Sequence, residues 1–109
     1  MTFHAFGDSI TQGVGASDAA HSYVGLLSSQ LGVSIVNHGT SGDMALDSTA
    51  KVYAITPLAG DDFIFDYGVN DERIYGTDPA KLQFTLGALA ASVAYCALGT
   101  KQNAISSGV

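Results

Sequence analysis

The sequence predicts an α/β protein: a parallel sheet with helices on both faces, the three-layer α/β/α arrangement of flavodoxin-like folds. Three observations predict it. Short apolar runs alternate with helix-period segments in the order β-α-β-α-β-α, which suits right-handed crossovers between parallel strands. Two glycine-rich turns directly follow apolar runs, where an open α/β sheet gathers its reactive groups. The 109 residues are 47% hydrophobic and only 13% charged, a composition for one packed domain with buried strands and not for a disordered segment.

The first strand is expected over residues 2–6, apolar on both faces apart from His4, which reads as a packed core residue. After a glycine-rich turn, Ser22 can cap a helix whose Tyr23, Leu26, Leu27 and Leu31 share one stripe, and Gly32 stops it. Residues 33–37 form a second strand. Asp43 can cap the next helix, which runs to about residue 54 with Leu46, Ala50 and Tyr53 aligned. Thr56-Pro57-Leu58-Ala59-Gly60 breaks that pattern and leads into a third strand at residues 62–67. Asp78 as cap and Pro79 at the first helical position open a long helix. Its expected buried face is Leu82, Leu86, Leu89, Val93 and Ala97, and Gly99 is expected to end it. Ala104-Ile105 reads as the start of a fourth strand. The flavodoxin-like order of the first three strands is 2-1-3.

Chemistry concentrates around Phe6-Gly7-Asp8-Ser9-Ile10-Thr11-Gln12-Gly13-Val14-Gly15. Ser9 stands at the C-terminal end of a strand with glycines on either side, and is the candidate nucleophile. This stretch resembles block I of the SGNH (GDSL) hydrolases, a family of serine esterases, lipases and carbohydrate deacetylases. Asn37-His38-Gly39-Thr40-Ser41-Gly42-Asp43 resembles block II, and Gly68-Val69-Asn70-Asp71 resembles block III. Each block alone is a weak signal; three in order, each after an expected strand, make a specific one.

The resemblance implies a five-stranded sheet, so residues 1–109 are expected to be the N-terminal part of a single SGNH domain. The remaining strands would come from the rest of a parent chain or from a partner chain. It implies three oxyanion donors: the backbone N–H of Ser9, the backbone N–H of Gly42 and the side-chain amide of Asn70. Asp8 and Asp71 are expected to support their loops. The family's fourth element, an Asp-x-x-His near the C-terminus, has no counterpart in the expected place. His4, His21 and His38 are then the histidines to weigh as base. His38, at the edge of block II, is expected to contact substrate. Asp18-Ala19-Ala20-His21 matches Asp-x-x-His in spacing but lies ahead of the first long helix, where the family does not carry that element.

The implied reaction is hydrolysis of a carboxylic ester, including O-acetyl groups on carbohydrate, through an acyl-enzyme on Ser9, with no metal or organic cofactor. Two rivals stand beside it: a non-catalytic glycan-binding module of the same fold, and a flavodoxin-like nucleotide binder. The glycine-rich loop lacks the Gly-Lys-Ser/Thr ending of a phosphate loop, and Asp18 soon after it would repel pyrophosphate. The net charge of −6, with only four Lys and Arg, argues against a nucleic-acid or anionic-membrane surface. No uninterrupted apolar run reaches 18 residues, and no basic start with an apolar stretch marks a signal peptide. Extracellular or phage-tail association is compatible with the family. Cys96 is the lone cysteine; in an Ala-rich helix it reads as a small buried thiol.

Overall fold

A computed structural model describes residues 2–106, with the side chains of residues 102–106 outside the description. Three parallel strands, β1 (Phe3–Gly7), β2 (Ile35–Asn37) and β3 (Asp62–Asp66), form a sheet in the order β2-β1-β3. The expected order 2-1-3 is therefore the observed one. β1 is central because its apolar run has a paired neighbour on each edge: Phe3 lies opposite both Ile35 and Asp62.

Alternation of side chains along β1 divides the molecule into layers. Phe6 and His4 point to one face, where Phe6, Val52 and Cys96 form the buried centre, with Phe63, Phe65 and Tyr95 packed against it. Helices α3 (Asp47–Tyr53) and α5 (Pro79–Ser106) cover that face. On the other face lie a short helix α1 (Ser9–Gln12) and α2 (Tyr23–Leu31), tied together by a hydrogen bond between the Thr11 and Tyr23 hydroxyls, 2.7 Å. A 3-10 turn at Ala19–His21 leads into α2, and α4 (Val69–Tyr75) follows β3. Ser22 caps α2 as expected, accepting from Gly25 N–H at 3.1 Å, and Gly32 ends it in the left-handed conformation.

Several expectations about helices need correction. Asp43 does not cap α3. Its carboxylate is taken by Lys51, and the helix starts four residues later, where Asp47 Oδ2 accepts from Met44 N–H. The stripe Leu46, Ala50 and Tyr53 faces outward, while Ser48 and Val52 are buried. In α2, Val24 is the buried residue and Leu26 and Leu31 are exposed.

α5 does not end at Gly99, and Ala104-Ile105 is helical backbone, not a fourth strand. Gly99 is there for close approach: a Cβ at that position would stand 3.1 Å from the Pro57 ring. The face of α5 turned inward includes Thr85, Ala88, Ser92, Cys96 and Gly99, small residues that let α3 and Pro57 come close, with Ser48 and Ser92 hydroxyls bonded at 2.6 Å. The expected stripe is largely uncovered: Leu82, Leu86 and Val93 are exposed, as are Phe84 and Leu98. Residues Pro79–Lys101 are long and apolar enough, at mean hydropathy 1.5, to cross a membrane by length and composition. The count of uninterrupted apolar residues missed this because Gln83, Thr85 and Ser92 interrupt the run.

Candidate active site

The three glycine-bearing turns meet at the C-terminal edge of the sheet. Ser9 is the first residue of α1, immediately after β1. Asp8 caps that helix, its Oδ1 accepting from Ile10 N–H at 2.9 Å, and is 2% exposed. The expected loop-supporting role of Asp8 is thus a helix cap that presents Ser9 at a helix N-terminus. The Ser9 side chain is half-buried and its hydroxyl is bonded to no described residue.

The second turn is carried on β2. His38 N–H continues the ladder to Ala5 O at 2.8 Å, and Thr40 N–H reaches Gly7 O at 3.1 Å, directly beside block I. Asn37 locks the turn from both sides: its amide donates to Thr11 O at 2.6 Å and its oxygen accepts from Gly39 N–H at 2.8 Å. Gln12 Oε1 accepts from Ser41 N–H at 2.6 Å. Residues 40–43 form a β-turn closed by Asp43 N–H to Thr40 O, 3.1 Å, with Gly42 at its third position and φ +87°. That backbone conformation is the reason for glycine: a type II turn requires positive φ there. The Gly42 N–H has no acceptor among the described residues.

The third turn joins β3 to α4. This helix, unforeseen in the sequence, puts Asn70 and Asp71 in its first turn, both buried. Asn70 Nδ2 donates to Asp43 O at 3.0 Å, linking block III to the residue after Gly42. The Asp71 carboxylate accepts from Ala45 N–H at 3.0 and 3.2 Å and from the Thr85 hydroxyl at 3.1 Å. It is a strap between block III, block II and α5, in keeping with the supporting role expected of it.

The histidines are placed elsewhere. His4 is 8% exposed and bonded through Nδ1 to His38 Nε2 at 3.0 Å; its own Nε2 lies 3.9 Å from Asp61 Oδ2. The His38 ring stacks on Phe6 with centroids 4.5 Å apart, so it belongs to the sheet face under α3. Burial lowers its pKa from the ordinary value, reinforced by His4 and Lys51. His38 also lines a cleft of about 480 Å³ with Asn37, Gly39, Thr40, Lys51, Ala54 and Ile55, which includes neither Ser9 nor Asn70. His21 Nδ1 is 2.7 Å from Asp18 Oδ1 on the surface, a local pair that caps the 3-10 turn. Among the described residues no histidine is bonded to Ser9, and no cluster of His, Cys, Asp or Glu is arranged to hold a metal ion.

Two further buried titratable groups lie on the face of the sheet under α3 and α5. The Tyr67 phenol is buried without a partner among the described residues, and burial together with Asp43 raises its pKa well above the ordinary value. Cys96, 2% exposed, is a core thiol whose pKa burial pushes up to about 11.

The GDSL-like lipase/acylhydrolase family matches residues 5–101. The chain belongs to that family. Among solved structures it is similar to AlinE4, an SGNH-hydrolase family esterase, with 27% identity and a TM-score of 0.62. That match covers 81% of this chain and 50% of AlinE4. A member of the lipolytic G-D-S-L family from Veillonella parvula DSM 2008 matches at 18% identity and a TM-score of 0.72, over 92% of this chain and 55% of that one; it bears on fold alone. The chain spans about half the length of these structures. No curated protein matches at a significant level.

Proposed function

We propose that this GDSL-family chain carries the nucleophile and oxyanion-binding half of a serine esterase. Ser9 attacks the ester carbonyl, and the backbone N–H groups of Ser9 and Gly42 and the Asn70 amide take up the charge on oxygen. The alcohol leaves, and water then releases the acid from the Ser9 acyl-enzyme. The substrate class is a small carboxylic ester, including O-acetyl groups on carbohydrate. The observation that carries this reading is the joining of the three blocks at one sheet edge: Thr40 on Gly7, Ser41 on Gln12, and Asn70 on Asp43.

The base that takes the Ser9 proton comes, on this reading, from outside residues 1–109. It arrives with strands that pair along the open side of β3 and cover Leu82, Leu86 and Val93 of α5, contributed by further sequence or by a partner chain. β3 invites this: its apolar Phe63-Ile64-Phe65 pairs only on the β1 side among the described residues. That no imidazole among the described residues is bonded to Ser9 is the one observation that favours the glycan-binding module.

The two readings separate in a single assay. Release of p-nitrophenol from p-nitrophenyl acetate should show a Ser9-dependent burst that Ser9→Ala abolishes, and Asn70→Ala should lower the rate about 10²–10³-fold, as loss of one oxyanion donor does elsewhere. Equal rates for the parent chain and Ser9→Ala would remove the esterase reading. Retained binding of an acetylated oligosaccharide would then favour the module.

A further inference from the structure

Lys51 is one of only four Lys and Arg residues in the chain, and no sequence motif marks it. It lies on α3, half-buried, with 26% of its side chain exposed. Its ammonium donates two hydrogen bonds to the block II turn, to His38 O and Thr40 Oγ1, and forms an ion pair with Asp43 Oδ2. Nζ is 2.7 Å from His38 O, 2.6 Å from Thr40 Oγ1 and 2.5 Å from Asp43 Oδ2. These acceptors bracket Gly42, which is exposed and has open space where a Cβ would stand, nothing lying within 4 Å of it. Its N–H is aimed by the turn around it, and Lys51 holds two residues of that turn, Thr40 and Asp43.

The charge matters as well as the geometry. Asp43 is adjacent to Gly42, its side chain only 15% exposed. An unpaired carboxylate there would oppose negative charge gathering on an oxygen at the Gly42 N–H. The ammonium cancels that opposition while fixing the turn.

We infer that Lys51 is a positioning residue: a three-pronged clamp from α3 that sets the Gly42 N–H for oxyanion binding and neutralises Asp43 behind it. The inference rests on the assignment of Gly42 as an oxyanion donor. A neutral side chain at position 51 would free the turn, and arginine, keeping charge and donors, would restore most of its order.

Nuclear magnetic resonance on the 109-residue chain tests the clamp without requiring turnover. The variants are Lys51→Met, Lys51→Arg, and Lys51→Met with Asp43→Asn, the last of which leaves no unpaired buried charge. The probe is an alkyl boronic acid, which adds to a serine hydroxyl to give a tetrahedral, negatively charged adduct. In the parent chain the Ile10 amide, the Gly42 amide and the Asn70 side-chain amide should all shift on adding the boronate.

In Lys51→Met and in the double variant, exchange of the position-43 amide, which closes the turn on Thr40 O, should quicken about tenfold or more. The Gly42 boronate response should vanish while Ile10 and Asn70 still respond, and Lys51→Arg should recover both. A position-43 amide as protected, and a Gly42 amide as responsive, in the double variant as in the parent would overturn the clamp. So would a double variant that fails to fold cooperatively, which would make Lys51 a folding residue. A parent chain whose Gly42 ignores the boronate would instead defeat the oxyanion assignment, and the exchange rates would still decide whether Lys51 orders the turn.

Discussion

Replacing Asp71 by alanine should damage this protein more than any other single carboxylate change at the sheet edge. Its side chain is buried, with the residue 2% exposed, and both oxygens are used. The Ala45 N–H donates to the pair of oxygens, and the Thr85 hydroxyl to one of them. Ala45 is fully buried, so truncation leaves its N–H with no acceptor and no access to water, a cost of about 1–3 kcal/mol. The Thr85 hydroxyl is half-buried and can turn to solvent, so its lost bond costs only about 1 kcal/mol. The sum, about 2–4 kcal/mol, is a large part of the roughly 5–15 kcal/mol by which domains are usually stable. Asp71→Asn keeps an oxygen for Ala45 and should cost about 1 kcal/mol. Urea unfolding followed by circular dichroism measures all three proteins. An Asp71→Ala midpoint equivalent to less than about 0.5 kcal/mol of loss, below the cost of any unsatisfied buried donor, would show that the strap does not bear on stability.

Two other predictions concern the sheet face beneath α3 and α5. Ser48 and Ser92 bond to each other at 2.6 Å in a buried contact, and each hydroxyl also has a carbonyl acceptor, Ala45 O at 2.7 Å and Ala88 O at 3.2 Å, so Ser92→Ala alone should strand no hydroxyl and cost about 1 kcal/mol, and the double change to alanine little more; thermal melts of the four proteins of the cycle measure the coupling. For His38 the sign follows from its lowered pKa, set by burial and then by His4 and Lys51. Near pH 7.5 the ring is neutral folded and unfolded, but below its ordinary value of 6.5 the unfolded chain takes a proton that the folded one resists, so stability should fall as pH drops toward 5. His38→Phe, which keeps the ring over Phe6, should flatten that slope in melts between pH 5 and 7.5.

Much of the fold could be read in the sequence because its signals are local. Apolar runs bounded by glycine gave three strands, and Pro79 after Asp78 gave the start of α5. The blocks of motif placed Ser9, Gly42 and Asn70 at strand ends, where they are found. What escaped depends on tertiary partners. No helix is expected at Gly68-Val69-Asn70-Asp71 because α4 has no side-chain cap to announce it, although Asp71 and Glu72 in its first turn suit a helix N-terminus. Asp43 looks like a cap until Lys51, eight residues on, claims its carboxylate. In α5 the leucines mark an apolar face correctly, but α3 and Pro57 pack on the small residues beside them, since close approach favours Ser92 under α3 and Gly99 under Pro57 over a residue such as Leu86. Periodicity tells which residues seek cover, and only the structure tells which of them α3 supplies it to.

The three blocks are knit by side chains reaching backbone across strand ends: Asn37 to Thr11, Gln12 to Ser41, Asn70 to Asp43, Asp71 to Ala45, Lys51 to His38. None of these bonds involves the free side of β3 or the exposed leucines of α5. The turn bearing Gly42 can therefore take its shape before anything covers that side. On the proposed reading, oxyanion binding is built into these residues and proton transfer is added with the covering strands. A boronate adduct on Ser9 should accordingly form in the 109-residue chain, while multiple turnover should need the base. Addition of a chain segment that both pairs with β3 and carries a histidine should raise turnover by several powers of ten, the deficit usual when one member of a serine triad is missing, and leave the Gly42 and Asn70 amide positions unmoved. Amide shifts at Gly42 as large on adding that segment as on adding boronate would mean that the hole is shaped from the β3 side after all.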